Sequence, residues 1–488
     1  MLRPWPLKIV LDRRRDRPVG QQIVRAFIEE VRRGRLKPGT PLPGSRELAD
    51  SLSVNRKTVI AALEELQAQG WLASEKRRGT FVAENLPLLD AGSGGAAGMP
   101  EHPLFRPARA AAGLVADIPP RDMLSFDDGA PDIRYVPIDV LARGYRDALR
   151  TTLQRRRLGY GDPRGSEALR TSIAALLSAD RGLAVTADNL CLTRGSQMAI
   201  FVVAQTLVSA GDTVVVESLT YPPAREAFRR AGAEISTVGV DERGLIPGDL
   251  ERVCRQKRVR AVYVTPHHHF PTTVLMTPER RMRLMLLASQ FGFAVIEDDY
   301  DHDFHFAHQP MLPLAAFDGE GWVVYVGSLS KLLSPSLRIG YVSAPKALTQ
   351  RLGAEVMMVD RQGDPAMEAA LAEFIEGGEL QRHTRKMMRL YAERRERFAK
   401  LLAEQFGDDV SVTVPPGGLA FWVRFKGVDL DRLLERGHAR RVHFQSPHAF
   451  ASNGATVDAL RLGFASLDVD ELKTATKRLR AAYRDVVG

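Results

Sequence analysis

The stretch GWVVYVGSLSKLLSPSLRIGY, residues 321–341, holds the densest chemistry in the chain. It begins as a buried strand, an apolar run of Val323, Val324, Tyr325 and Val326 ended by Gly327. Ser328, Ser330 and Lys331 follow in a loop, then Pro335, with Arg338 ahead of a second apolar piece. A lysine just past a buried strand loses hydration. Its pKa then falls from about 10.4 toward values at which the neutral amine is a nucleophile. Two serine hydroxyls and an arginine suit a phosphate. A nucleophilic lysine beside a phosphate anchor is what pyridoxal 5'-phosphate (PLP) requires, one for a Schiff base and one for a handle. A lone lysine in a Ser-rich loop is ordinarily solvated, so the assignment depends on the rest of the chain.

A chain of 488 residues implies two or more domains. It is 44% hydrophobic and 26% charged, as in a soluble globular protein, and no apolar run approaches the ~20 residues that span a bilayer. The start turns basic within a few residues and has no signal-peptide pattern. Cys191 and Cys254 are its two cysteines, which argues for a reducing cytoplasm and against a disulfide scaffold or a Cys-based metal site. Residues 1–83 hold 17 Lys and Arg against 9 Asp and Glu, a net +8 of the chain's +9. The rest is nearly neutral. One part is therefore suited to a polyanion and the other is not.

Within that basic part, residues 20–34 predict a helix with Ile23, Phe27 and Val31 on one face. Ser45 can cap a short helix, SRELADSL, and Asn55 a longer one that runs through Gln69 and ends at Gly70. Two such helices make a helix-turn-helix, whose second helix starts Arg56-Lys57-Thr58. Residues 71–74 and 80–82 read as strands joined by a basic tip, residues 75–79. From LPGSRELAD to GTFV this stretch resembles the GntR family of winged-helix regulators. That resemblance implies operator contacts from Arg46, Arg56 and Thr58, with Lys57, Arg78 and Gly79 as further candidates. Read from the residues, Lys57 and the wing are phosphate contacts.

Residues 84–121 are rich in Gly, Ala and Pro and predict a flexible linker. From residue 122 to 488 strands alternate with helices. Candidate strands are residues 213–217, 235–240, 261–265, 294–297, 322–326 and 340–343, with helical segments such as 279–290 between them. This rhythm predicts a mostly parallel sheet covered by helices, with ligands beyond the strands' carboxyl ends. Asp298 follows the strand FAVIE and can pair with a pyridinium nitrogen; Asp299 and Asp301 are neighbours among which physics does not force the choice. Tyr300 can bond a phenolic oxygen. EDDYDHDFH also has the composition of a metal site. Residues 193–197 open a helix whose N-terminus can take phosphate, Tyr221 can stack on a flat ring, and Arg461 can clamp a carboxylate.

The ordered motifs YGDPRG, TRGSQ, ESLTYPP, TPHHHFPTT, EDDYD, SLSKLLSPSLRIGY and LRLGF resemble the fold-type-I aminotransferase superfamily over roughly residues 122–486. The resemblance implies that Lys331 forms the internal aldimine, Asp298 meets the pyridine nitrogen, Tyr300 meets O3' and Tyr221 stacks on the ring. It implies that Ser328, Ser330, Arg338 and the turn Gly195, Ser196, Gln197 hold the phosphate, that Tyr160 reaches the partner subunit's phosphate, and that Arg461 holds the effector carboxylate. Phe270-Pro271-Thr272-Thr273 stands where enzymes usually have Asn-Pro-Thr-Gly, so the O3' donor is lost and Thr replaces Gly. His267, His268 and His269 precede it. Adjacent residues in an extended segment face alternate sides, so they are expected to line the pocket, with no metal. The fusion as a whole resembles the MocR/GabR regulators. The expected fold is multidomain: an α+β winged helix-turn-helix plus an α/β fold-type-I domain with a small C-terminal α+β subdomain. The expected function is a PLP-dependent transcriptional regulator, a head-to-tail homodimer binding double-stranded DNA and an amine, amino-acid or PLP effector. The alternative is a working aminotransferase with an accessory DNA-binding domain; weak transamination is compatible with the first reading.

Overall fold

A computed structural model describes residues 18–75, 78–87, 118–120, 122–154, 159–306, 311–452, 454 and 457–488. Most of the expected linker, and Lys76 and Arg77 of the expected wing tip, lie outside the described residues. The chain forms two compact units, Met1–Arg109 and Ala110–Gly488.

In the first unit, α1 (Val19–Arg32) buries Ile23, Val24, Phe27 and Val31, a stripe at helical spacing. Next come α2 (Ser45–Leu52) and α3 (Arg56–Ala68). The sequence puts the cap of α2 at Ser45, but Gly44 holds that position and makes no side-chain cap; Ser45 is the first helical residue, and its hydroxyl accepts from Arg56 Nε at 3.3 Å. Asn55 caps α3 as expected, its Oδ1 accepting from Lys57 N at 2.9 Å. Gly70, at φ +77°, turns the chain out of α3. β1 (Leu72–Glu75) and β2 (Gly79–Val82) then pair antiparallel, with Glu75 opposite Gly79. Val59, Leu66, Trp71 and Val82 join the helices into one core. Three helices and a β-ribbon make a winged helix.

The second unit is built on a seven-stranded sheet. Its strands are β3 (Leu190–Thr193), β4 (Thr213–Glu217), β5 (Glu234–Val238), β6 (Val259–Val264), β7 (Ala294–Asp298), β8 (Val323–Ser328) and β9 (Gly340–Ser343). They lie in the order β3-β9-β8-β7-β6-β4-β5. β5, β4, β6, β7 and β8 pair in parallel; β9 runs antiparallel to both β8 and β3. Parallel strands need a long crossover, whereas a short return makes an antiparallel pair. Residues 329–339 are such a return. They leave and re-enter the sheet at one end, so Lys331 and Arg338 stay beside the carboxyl ends of the parallel strands. Val214, Val215 and Val216, and Val295 and Ile296, are fully buried, as a sheet covered on both faces requires. The strand expected over 235–240 ends at Val238; past Gly239, Val240–Asp241 forms a separate ribbon with Gly244–Leu245.

The C-terminal subdomain is α+β: a three-stranded antiparallel sheet of Val410–Val412, Ala420–Phe425 and Ala459–Gly463 is packed by helices Glu379–Phe406 and Val469–Val487. Among the described residues no helix is long and apolar enough to cross a membrane.

β9 presses so closely on the turn before Ser196 that position 340 has no room for a side chain: a Cβ there would sit 2.7 Å from Ser196 N. Gly340→Ala is therefore expected to lower stability by ~1–3 kcal/mol in urea unfolding, as overpacking does. Gly248→Ala, where a Cβ meets nothing within 4 Å, is expected to stay within about 0.5 kcal/mol. Equal effects at the two positions would contradict this packing.

Candidate functional site

The loops past β6, β7 and β8 close around a cavity of about 200 Å³, at the sheet edge where open α/β sheets bind ligands. Asp298, Tyr300, Tyr221, Ser196, Gln197, Ser330, Lys331 and Arg338 face it, all of them singled out in the sequence. Asp128, Tyr263, Thr265 and Phe270 face it as well.

Asp298 ends β7 at 4% exposure. Its Oδ2 accepts from Tyr263 OH at 2.7 Å, and its Oδ1 has no partner. Burial raises its pKa from 3.8 to about 7. The resemblance names Asp298, and of Asp298, Asp299 and Asp301 it is Asp298 that lines the cavity. Asp299 turns toward Tyr325, whose OH donates to its Oδ2 at 2.7 Å, and Asp301 toward His268 Nδ1 at 2.8 Å.

Lys331 Nζ donates to Asp128 Oδ1 at 3.2 Å. The ammonium is the main reason Asp128 lies below the usual carboxylate range. No motif or spacing in the sequence marks Asp128, which is 203 positions away. An unclaimed acid in DDGAPD was its one signal.

Near Lys331, Ser330 Oγ is buried and unpartnered. Arg338, itself at φ +51°, donates from Nη2 to Arg194 O at 2.7 Å and lies against Gly195. Helix Ser196–Leu207 begins there, its first N–H groups without intrahelical partners and its dipole favouring an anion. Ser328 and Gly195 do not line the cavity. Ser328 Oγ instead accepts from Ser330 N at 3.0 Å and shapes the loop; Gly195, at φ +80°, precedes the helix.

Arg461 is 2% exposed and makes its hydrogen bonds inside the protein, to Asp128 O at 3.1 Å, Pro271 O at 2.9 Å and Tyr300 OH at 3.3 Å. Its guanidinium carbon lies 4.5 Å from the Phe270 ring centre, a cation–π contact. The Phe that displaced the expected Asn thus packs between Arg461 and Tyr221, whose ring it meets edge-on at 5.2 Å. Thr273 stands at φ +63°, where a β-branched residue is strained. Tyr160 is outside the cavity, 83% exposed and stacked under Arg361.

The histidines require a correction. None of His267, His268 and His269 lines the cavity. His268 bonds Asp301, His269 bonds Thr272 Oγ1 and Leu219 O, and His267 packs on His302. They alternate in direction as an extended segment does, but every direction leads into protein.

In the first unit Arg46, Arg56 and Lys57 are exposed near the N-termini of α2 and α3, and Thr58 is half-buried. Arg78 is held by Glu75 at 2.6 Å beside the exposed Gly79.

The donor set suits PLP. An orphaned buried carboxylate oxygen waits for a ring N–H, an orphaned serine hydroxyl and a helix N-terminus for a phosphate, and an amine for an aldehyde.

Residues 124–479 match the family Aminotransferase class I and II, and residues 19–82 match Bacterial regulatory proteins, gntR family. The chain is 31% identical to the probable rhizopine catabolism regulatory protein MocR of Rhizobium meliloti, over 97% of this chain and 96% of that one. It is 30% identical to the HTH-type transcriptional regulator TauR of Rhodobacter capsulatus, over 93% and 94%. In structure it resembles the α-aminoadipate aminotransferase LysN of Thermus thermophilus, complexed with N-(5'-phosphopyridoxyl)-L-leucine: TM-score 0.70, 27% identity, 75% of this chain and 93% of that one.

The raised Asp298 pKa has a pH consequence. Without cofactor, the folded protein holds a proton that the unfolded chain has released above about pH 4, so stability falls as pH rises from about 4 to 7. Each such proton contributes up to about 1.4 kcal/mol per pH unit. Asp298→Asn is expected to flatten that fall in urea midpoints of cofactor-stripped protein. An unchanged slope would mean that Asp298 is not the group.

The two matched domains together cover nearly the whole chain, in the order found in MocR. The chain therefore belongs to the class I and II aminotransferase family, in the branch that carries a GntR-type winged helix ahead of that domain.

Proposed function

We propose that this protein is a PLP-dependent transcriptional regulator in which the aminotransferase-like domain senses an amine or amino acid and thereby sets operator binding by the winged helix. The observation that carries this is the convergence of Lys331 Nζ, the unpartnered Asp298 Oδ1 and the Ser196–Arg338 anion site on one cavity, in a chain that also carries the DNA reader.

When bound, PLP supplies an aldehyde that joins amines reversibly and an electron-withdrawing ring. The chain's own residues do the rest. Lys331 offers the amine, and Asp128 holds it in place while it is charged. Asp298, fixed by Tyr263, holds negative charge opposite a ring nitrogen. Tyr221 and Phe270 wall the cavity and exclude water. Ser330, Arg338 and the helix N-terminus at Ser196 take the phosphate, with Ser328 and Gly195 shaping their loops. Arg461 takes an effector carboxylate by exchanging its bonds to Pro271 and Tyr300; its Phe270 contact keeps it in place meanwhile. The Phe270 side chain has no hydrogen to donate to O3', and Tyr300, whose OH donates to His268 O at 2.9 Å, would turn that proton to serve there.

The protein acts in the cytoplasm as a homodimer, with the exposed Tyr160 of each protomer serving the partner's phosphate site. Residues 84–121 serve as the linker between the domains 1–83 and 122–488. Arg46, Arg56, Lys57, Thr58, Arg78 and Gly79 form the operator face, with specificity from the start of α3 and phosphate contacts from the wing. An effector can shift operator affinity only by binding one state of the dimer better than the other. A change from 1:99 to 99:1 needs about 10⁴-fold preference.

The test follows DNA affinity and the cofactor's visible absorbance together while amines are titrated. Lys331→Ala is expected to abolish both the absorbance and the amine response while DNA binding persists. Arg56→Ala is expected to weaken operator binding roughly 10-fold or more, the ~1–3 kcal/mol of a base contact, with absorbance intact. An amine response that survives Lys331→Ala would overturn the proposal.

A further inference from the structure

Behind the cavity, past the end of β7, three side chains meet that the proposed function does not use. His267, Asp299 and His302 are 4%, 2% and 2% exposed. One donor atom from each lies within 4.8 Å of the other two. The rings of His267 and His302 sit 4.4 Å apart, centre to centre. His267 Nδ1, Asp299 Oδ1 and both nitrogens of His302 have no hydrogen-bond partner. His302 Nδ1 is 2.9 Å from Asp299 Oδ2, but without the alignment of a hydrogen bond. Buried polar atoms are almost always partnered. Three buried residues with unpartnered donor atoms, meeting within 4.8 Å, call for something that accepts lone pairs.

The local charge selects what that is. Glu297, Asp298, Asp299, Asp301 and Asp303 are packed into seven residues. The buried guanidiniums nearby are Arg181 and Arg281. Arg181 bonds Asp303 Oδ2 at 2.7 Å, and Arg281 spends its donors on the carbonyls of Met276, Leu312 and Pro266. Neither guanidinium is hydrogen-bonded to Asp299 Oδ1, which has no partner.

We propose that His267, Asp299 and His302 form a buried divalent metal site that takes Zn²⁺. Two imidazoles and a carboxylate suit a borderline ion, whereas Ca²⁺ or Mg²⁺ would need a shell of oxygens. Bonds of about 2.0–2.1 Å bring tetrahedral donors to roughly 3.3 Å of one another, which rotation of the two rings provides. The support behind the ligands already exists. Asp299 Oδ2 accepts from Tyr325 OH, and Tyr325 OH in turn accepts from Arg181, which leaves Oδ1 for the ion; such outer partners orient metal ligands. The ion fixes the residue next to Asp298 and so the end of β7. The site stands apart from the cofactor reading, since none of its three ligands lines the cavity.

The test uses full-length protein stripped with chelator, without vitamer and in phosphate-free buffer, titrated with Zn²⁺ and, as a spectroscopic substitute, Co²⁺. The expected result is one ion per chain, and a strong visible Co²⁺ band of a four-coordinate site, three side chains and one water, from which Zn²⁺ displaces it. His302→Ala is expected to weaken binding more than tenfold, while His448→Ala, at an exposed histidine, leaves it unchanged. A weak six-coordinate Co²⁺ spectrum, or metal lost on simple dialysis of the unmutated protein, overturns the proposal whether or not any variant folds. Binding retained in a folded His267→Ala/His302→Ala double variant overturns it too.

Discussion

The parallel pairing of β7 with β8 is the constraint on which the site depends. Their register sets Asp298 opposite Val326, so the acid and the loop that begins at Ser328 emerge side by side. β9 returns antiparallel along β8 and closes that loop without a crossover, which keeps Lys331 and Arg338 at one edge. An acid, an amine and an anion site are thus brought around one cavity by backbone hydrogen bonds far stiffer than any side chain. β6 on the other side of β7 brings Tyr263 to fix the acid.

Burial gives those groups their chemistry. A carboxylate in contact with water has both oxygens solvated; Asp298, buried and bonded on one oxygen, keeps the other without a partner. The same dryness sets the cost of Arg461, whose charge is spread over three internal acceptors and an aromatic face. On the proposed reading, an effector carboxylate would have to compete with those contacts.

Much of this was legible in the sequence, for definite reasons. Lys331, Asp298, Arg338 and Ser196 sit at strand ends or helix starts, and apolar runs mark those ends well. The winged helix was legible because its caps and breakers are local; Asn55 and Gly70 act within a few residues of themselves. Partners distant in the chain were not. Asp128 meets Lys331 across 203 positions, and no spacing rule reports that. The three consecutive histidines alternate as expected, but what each one meets depends on Asp301, Leu219 and His302, which only the packing brings near. Thr273 shows a tertiary override: the loop imposes φ +63° on a residue that disfavours it. The cap at Gly44 rather than Ser45 is a one-residue shift of the kind that helix ends allow.

The most direct measurement is borohydride reduction of the PLP-loaded protein followed by mass spectrometry of its peptides. The account predicts a single phosphopyridoxyl mass gain on the peptide containing Lys331. A label on another lysine, or none in a folded protein that binds DNA, would contradict it.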